Sequence, residues 1–305
     1  EKKLPYVKTM YEEKVPEGAD AERVMTQMAE KGCKVIFTTS FGYMDSTVNV
    51  AKKYPDVVFM HCSGYKRSAN LGTYFGRDYQ ARYLTGIVAG KMTKSNKIGY
   101  VAAYPIPEVV RCIDAFTLGV RKVNPKAQIN VVWTNTWYDP AKEKSAALSL
   151  IDQGCDLISQ NQDSYASQQA AQERGVYAVG CDSDMGKFAP KATLTSAIFN
   201  WKEYYVSVVE SVKNKTWKSG DFWGGIKDGV VDVTPMASMV PADVKALVDA
   251  ERAKIVDGSF DVFVGPIKDQ TGKVRIPAGQ TMSDADKLTV DWFVEGVQGT
   301  IPKAK

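Results

Sequence analysis

Histidine is almost missing from this chain of 305 residues: His61 is the single one. That excludes any multi-histidine metal centre, and any Ser-His-Asp or Cys-His mechanism would have to run through His61. Cysteine is scarce and unpaired in pattern. Cys33, Cys62, Cys112, Cys155 and Cys181 lie 26 to 50 residues apart, with no CxxC pair, and five is odd. Four of them fall in or beside apolar strand-like runs, where a free thiol behaves as a small buried hydrophobe. No apolar run approaches the roughly 20 residues of a membrane helix, since even Tyr83–Met92 holds Thr85, two glycines and Lys91. Charge of one sign is not concentrated either. The net charge is +4, from 39 basic and 35 acidic residues spread along the chain, which argues against a nucleic-acid surface.

The usual enzyme signatures are absent too. No GxSxG or GxGxxG occurs. Gly86-Ile-Val-Ala-Gly90-Lys91-Met92 imitates a phosphate loop, but it is one residue short, lacks Ser or Thr after the lysine, and lies in a helical pattern. Asp182-Ser-Asp184-Met-Gly186 imitates a calcium loop without the acid at its twelfth position. Asn214-Lys-Thr216 is a formal glycosylation sequon. Clustered acids around a metal, as a nucleoside hydrolase would need, are not present.

What is present is alternation. Apolar residues make up 44% and charged residues 24%, ordinary for a globular chain. After a strand-like run at Lys8–Val15, helices are predicted over Asp20–Lys31, Met44–Lys53, Asp78–Met92, Glu108–Val123, Ala141–Gln153, Ser164–Arg174, Lys202–Lys213, Pro241–Val256 and Ser283–Val297. Strands are predicted at Cys33–Thr39, Val57–Cys62, Leu71–Phe75, Ile98–Ala103, Ile129–Trp133, Leu157–Gln160, Tyr177–Cys181 and Leu194–Phe199. A Gly-rich strand region covers Trp223–Val233, and a hairpin Val262–Ile276. Such βαβ units imply parallel sheets with helices on both faces. The polar break Thr93–Lys97 and the length of the chain favour two sheets. The opening Glu1-Lys2-Lys3-Leu4-Pro5 has no initiator Met or signal segment, and the pattern fits a chain that starts inside its domain. Pro302-Lys303-Ala304-Lys305 reads as a frayed polar tail.

Ligands in such folds bind at the C-terminal ends of the strands. There the chain places Phe41 after Cys33–Thr39, Trp137 and Tyr138 after Ile129–Trp133, Asp163 after Leu157–Gln160, Asp182 after Tyr177–Cys181, and Asn200 with Trp201 after Leu194–Phe199. Planar rings beside fixed acceptors suit a small heteroaromatic or sugar-like molecule. Each has a plainer reading. Asp163 and Asp182 could cap the next turn, Trp137, Tyr138 and Phe41 could be packing, and Asn200-Trp201 could simply open a helix. The recurrence at five strand ends favours a binding face.

Several stretches resemble the Bmp-type (basic membrane protein) family of lipoproteins, the substrate-binding components of ABC importers. They are Val15-Pro-Glu-Gly-Ala-Asp20, Thr39-Ser-Phe-Gly-Tyr-Met44, Gly99-Tyr-Val-Ala-Ala-Tyr-Pro-Ile-Pro-Glu108, Ala115-Phe-Thr-Leu-Gly119, Asn135-Thr-Trp-Tyr-Asp-Pro-Ala141, Trp223-Gly-Gly-Ile-Lys-Asp-Gly229 and Phe263-Val-Gly-Pro-Ile-Lys-Asp269. The resemblance implies an α/β, type I periplasmic-binding-protein fold: two Rossmann-like lobes, a three-strand hinge, and ligand trapped between them. By position it implies Trp137-Tyr138 as the aromatic site, Asp163, Asp182 and Asn200 as polar contacts, Phe41 on the N-terminal lobe, and Arg77 as a further candidate. The family's first strand and loop, with an acidic residue and an aromatic that contact the base, are not matched in this chain.

The expected division is 1–94 as the N-terminal lobe, 97–199 as the C-terminal lobe, 200–222 returning to the first, and 223–305 to the second, with Thr93–Lys97 and the strand end at Asn200 as hinge strands. The expected function is an extracytoplasmic solute-binding protein, periplasmic or lipid-anchored at the cell surface, that delivers an adenine-like purine base or nucleoside to an ABC permease. It would be a monomer with no catalytic residue, metal, cofactor, or nucleic-acid partner. The alternatives are a flavin or other heteroaromatic binder, and a ligand-sensing domain of a signalling system.

Overall fold

The computed structural model describes residues 1–302. In chain order the first elements are α1 (Ala19–Glu30), β1 (Val35–Thr38), α2 (Met44–Lys53), β2 (Val58–Cys62), β3 (Leu71–Gly76), α3 (Tyr79–Met92), β4 (Lys97–Ala102) and α4 (Pro107–Val123). Then come β5 (Gln128–Trp133), α5 (Pro140–Asp152), β6 (Leu157–Asn161), α6 (Ala166–Glu173), β7 (Tyr177–Gly180), β8 (Thr193–Phe199), α7 (Lys202–Lys213) and β9 (Asp221–Gly224). The chain closes with β10 (Val231–Val233), α8 (Ala242–Asp257), β11 (Ile267–Lys268), β12 (Val274–Ile276), α9 (Asp284–Leu288) and β13 (Val297–Gln298). None of the described helices is long and apolar enough to cross a membrane.

Two compact units share the chain. Unit 1 comprises Glu1–Gly76 and Asn200–Gly224; unit 2 comprises Arg77–Phe199 and the chain from Gly225 on. Unit 1 holds a parallel four-stranded sheet in the order β1-β2-β3-β9. One face packs against α1 and α2 through Met25, Val50, Phe59 and Leu71, all buried. The other buries Met60, Cys62, Tyr74 and Val208 with the rings of α7. The αL glycine Gly32, at φ 90°, closes α1 and lets Cys33 N donate back to Met28 O.

Unit 2 holds a seven-stranded sheet ordered β10-β8-β7-β6-β4-β5-β13, parallel except for β10. Its densest contact joins α3 to α4. A Cβ added to Gly119 would stand 2.0 Å from Tyr83 O, and one added to Gly86 would stand 2.2 Å from Phe116 O. Backbone meets backbone there, so only glycine fits. The glycines of the false phosphate loop are helix-packing residues.

That contact moves a domain boundary. The segment 77–94, expected with the first lobe, belongs to unit 2 because α3 is bound to α4. The Thr93–Lys97 break is a turn inside unit 2. Asp156 fastens it by accepting from Thr93 Oγ1 at 2.6 Å, Lys94 N at 2.7 Å and Ser95 N at 2.8 Å. Chain crossings fall instead at residues 76–77, 199–200 and 224–225. The expected strand region Trp223–Val233 is therefore split, β9 joining one unit and β10 the other.

Two further expectations change. Residues 8–15 form no strand: they are exposed nearly throughout, and Lys14 takes φ 56°. The helix expected over Ser283–Val297 stops at Leu288, where the β-branched pair Thr289 and Val290 follows; its start is capped by Ser283, which accepts from Asp286 N. The expected tail lies, from residue 303 on, outside the described residues. All five cysteines are free thiols, four buried and Cys33 half-buried.

Candidate functional site

In unit 2 the strand order turns at β4, which has β5 on one side and β6 on the other. Chains leaving such neighbours depart to opposite faces, and the crevice at their C-terminal ends is the natural ligand position in an open α/β sheet. Tyr104 follows β4, Trp137 follows β5, and Asp163 follows β6. Asp163 N donates to Trp137 O at 3.0 Å, so the β5 and β6 loops are stitched together there. Trp137 is half-buried and tilts onto Tyr104, with ring centroids 5.3 Å apart. Tyr138, beside it, is 48% exposed.

The loop that carries Trp137 is held from below. Asp139 caps α5 by accepting from Lys142 N at 3.1 Å. The buried Glu143 reaches back to Asp139 N at 2.9 Å and also accepts from Ser164 Oγ. One carboxylate thus ties the start of α5 to the loop after β6. Burial raises its pKa, partly offset by those hydrogen bonds.

Asp163 and Asp182 do not cap helices. The N-terminus of α6 has no side-chain cap, and the turn after β7 is capped by Asp184, which accepts from Gly186 N at 3.2 Å. Burial by the surrounding protein, reinforced by the Asp182 and Glu143 charges, pushes the Asp163 carboxyl up to about 7, although the residue keeps an open face to solvent. Asp182 stands in the left-handed region at φ 59° and accepts from the buried Arg82 Nη2 at 3.1 Å. Burial raises Asp182, and Arg82 pulls it down.

A carboxyl raised in the folded state binds its proton more tightly there than in the unfolded chain. Its contribution is fully present below the ordinary carboxylate pKa of about 4 and is lost as pH rises through about 7. Asp163→Asn should therefore gain stability relative to the parent between pH 5 and pH 8. Calorimetric melting at both pH values reads this. An offset that does not change with pH would mean that Asp163 titrates as an ordinary surface acid.

The other expected residues have different surroundings. Arg77 forks onto Asp284, with Nη1 at 2.8 Å and Nη2 at 2.6 Å, and Nη1 also reaches Tyr79 OH at 3.2 Å. Its guanidinium braces α3 against the start of α9. Phe41, Asn200 and Trp201 lie on unit 1. Phe41 opens a short 3-10 turn after β1 and is half-buried, while Asn200 is exposed. Trp201 packs edge-on against Tyr74 at 5.1 Å and stacks along Tyr205 at 6.2 Å, which makes it part of that unit's aromatic core. Sequence reasoning passed over Tyr104 and Arg82. Tyr104 also follows a strand end. Arg82 is a lone cation in the apolar run of α3, where an unpaired charge would be costly.

A family model, described as ABC transporter substrate-binding protein PnrA-like, matches residues 1–260. A purine-binding protein of Brucella abortus is 46% identical over 297 residues, covering 97% of this chain and 85% of its own length. A Haloferax volcanii protein, provisionally named an ABC transporter glucose-binding protein, is 42% identical over 97% of this chain and 73% of its own. Among solved structures, an ABC transporter solute-binding protein from Conexibacter woesei superposes with a TM-score of 0.64 at 25% identity, covering 79% of this chain and 83% of that one. The fold is that of type I periplasmic-binding proteins. The chain belongs to the Bmp family of PnrA-like ABC transporter substrate-binding proteins, which bind rather than transform a small molecule outside the cytoplasm and work with a membrane permease.

Proposed function

We propose that this chain binds a purine base or nucleoside of adenine-like shape on the switch-point face of unit 2. The supporting observation is the grouping of a half-buried Trp137, braced by Tyr104 and Asp139, with Asp163 bonded to its backbone and Asp182 on the next strand end but one from β4. An indole face offers a surface to any planar ring, and carboxylates accept from its N–H groups. The purine-binding name of the Brucella abortus relative points the same way.

A sugar is the second reading, favoured by the provisional name of the Haloferax volcanii relative. Titration calorimetry with adenine, guanine, adenosine and glucose separates the two. Trp137→Ala should weaken all purines alike by about one to two decades, as expected for a stacked base worth roughly 1–3 kcal/mol. Asp182→Asn should change the order among them. Glucose binding without purine binding would overturn the reading. So would a folded Trp137→Ala that binds adenine as tightly as the parent.

A further inference from the structure

Arg82 is 1% exposed in the middle of α3, yet the carboxylate it serves is 39% exposed. Nη1 donates to Gln160 O at 2.9 Å, and Nη2 donates to Cys181 Sγ at 2.7 Å and to Asp182 Oδ1 at 3.1 Å. Nε faces Asp78 Oδ2 at 4.0 Å. The pair is lopsided: the cation is sunk in the core behind the sheet's C-terminal edge, and the anion stands at the face described above. A buried cation needs such partners, because leaving its charge uncompensated in the core would be costly.

Building on the purine reading, we infer that Arg82 is a positioning residue, holding Asp182 as an oriented carboxylate for the N–H donor edge of the bound heterocycle. One Asp182 oxygen is taken from behind by the guanidinium, which fixes the carboxylate plane, and the exposed remainder has room for a second donor. The left-handed backbone at Asp182, φ 59°, is a sparsely populated conformation for a residue with a side chain and is the kind of strain found at binding sites. A carboxylate only accepts, so the device favours ligands with N–H groups on that edge over ligands with acceptors alone.

The groups facing the pair are Asp78 just before α3, Cys112 on α4, Tyr100 on β4, Cys181 just after β7 and Asp163 after β6. Asp78 accepts from Cys112 Sγ at 2.7 Å and competes for the guanidinium. Removing the Arg82 charge leaves burial and the Asp78 charge opposed only by the Cys181 contact, which moves the Asp182 titration upward.

The test uses the whole chain and two replacements. Arg82→Gln keeps amide donors for Gln160 O and removes the charge; Arg82→Lys keeps the charge. Carboxyl carbon-13 NMR follows the Asp182 midpoint, and calorimetry follows adenine affinity. Arg82→Gln should raise the midpoint by more than one pH unit and weaken adenine at least tenfold at pH 7. Arg82→Lys should recover most of both. In the Asp182→Asn background, Arg82→Gln should cost little further affinity. An unmoved midpoint overturns the inference, as do fully additive affinity losses. Should Arg82→Gln not fold, Arg82→Lys alone reads the coupling: its ammonium cannot reproduce the fork onto Gln160 O and Asp182 Oδ1, so the Asp182 midpoint should rise by a fraction of a unit, and an unchanged one overturns the inference. A wild-type chain that ignores every purine, yet whose Asp182 midpoint follows Arg82, rejects the ligand reading and leaves the coupling supported.

Discussion

Gly119→Val should severely destabilise unit 2. A Cβ at residue 119 would stand 2.0 Å from Tyr83 O and 3.1 Å from Ile87 N, both backbone atoms of the opposing helix. No side-chain rotation relieves a clash with backbone, so α3 and α4 would have to part. Between and beside them lie Tyr83, Leu84, Ile87, Phe116 and Val120, all at 2% exposure or less. Overpacking a close-packed core costs about 1–3 kcal/mol, more where the neighbour is rigid. We expect at least about 3 kcal/mol, which is a melting temperature lower by roughly ten degrees for a unit of this size. Gly220→Ala is the control, because nothing lies within 4 Å of a Cβ built there. Circular dichroism melting of the two variants beside the parent gives the answer. A Gly119→Val chain melting with the parent would mean that the helices are less tightly joined than described.

Acid should weaken unit 1 through its buried histidine. His61 is fully buried on β2 and shares a hydrogen bond between Nδ1 and Thr38 Oγ1 at 2.7 Å. Burial pushes its pKa down to about 4, against a smaller opposing pull from the Phe41 backbone. Between pH 6.5 and 4 the unfolded chain binds a proton that the folded unit refuses. The contribution of His61 is therefore complete above about pH 6.5 and is lost as pH falls through about 4. Integrated over that window it amounts to about 3 kcal/mol at most. Denaturant unfolding of the parent and of His61→Gln at pH 7 and pH 4 isolates it. The stability gap between them should shrink by about that amount at the lower pH. A gap independent of pH would show that His61 titrates normally.

Some elements were written in the sequence more plainly than others. The helices Met44–Lys53 and Lys202–Lys213 were predicted with the bounds they have, since each is a local pattern closed by a local signal. The domain boundary was not local. A polar run at Thr93–Lys97 looks like a junction, but the deciding fact is that Gly86 lies against Phe116 O and Gly119 against Tyr83 O, backbone far away in sequence. Trp137, Asp163 and Asp182 were legible as candidates because each directly follows a strand, the position where ligands bind in this class of fold. Trp201 satisfies the same rule and also packs among three tyrosines, a contact about which the rule says nothing. Arg82 was illegible for the opposite reason: its partners come from β6 and the chain after β7, 78 to 100 residues away.

Unit 1 is completed by β9, whose Asp221 accepts from Thr73 on β3 across 148 residues. A chain that emerges end first, as one threaded across a membrane does, delivers the whole stretch from Arg77 to Phe199 before that last strand. Until β9 arrives, β3 has an unpaired edge, the feature most prone to wrong pairing. The interleaving of the two units therefore sets a period of vulnerability while the chain emerges, and it makes the 200–224 segment the step that ends it.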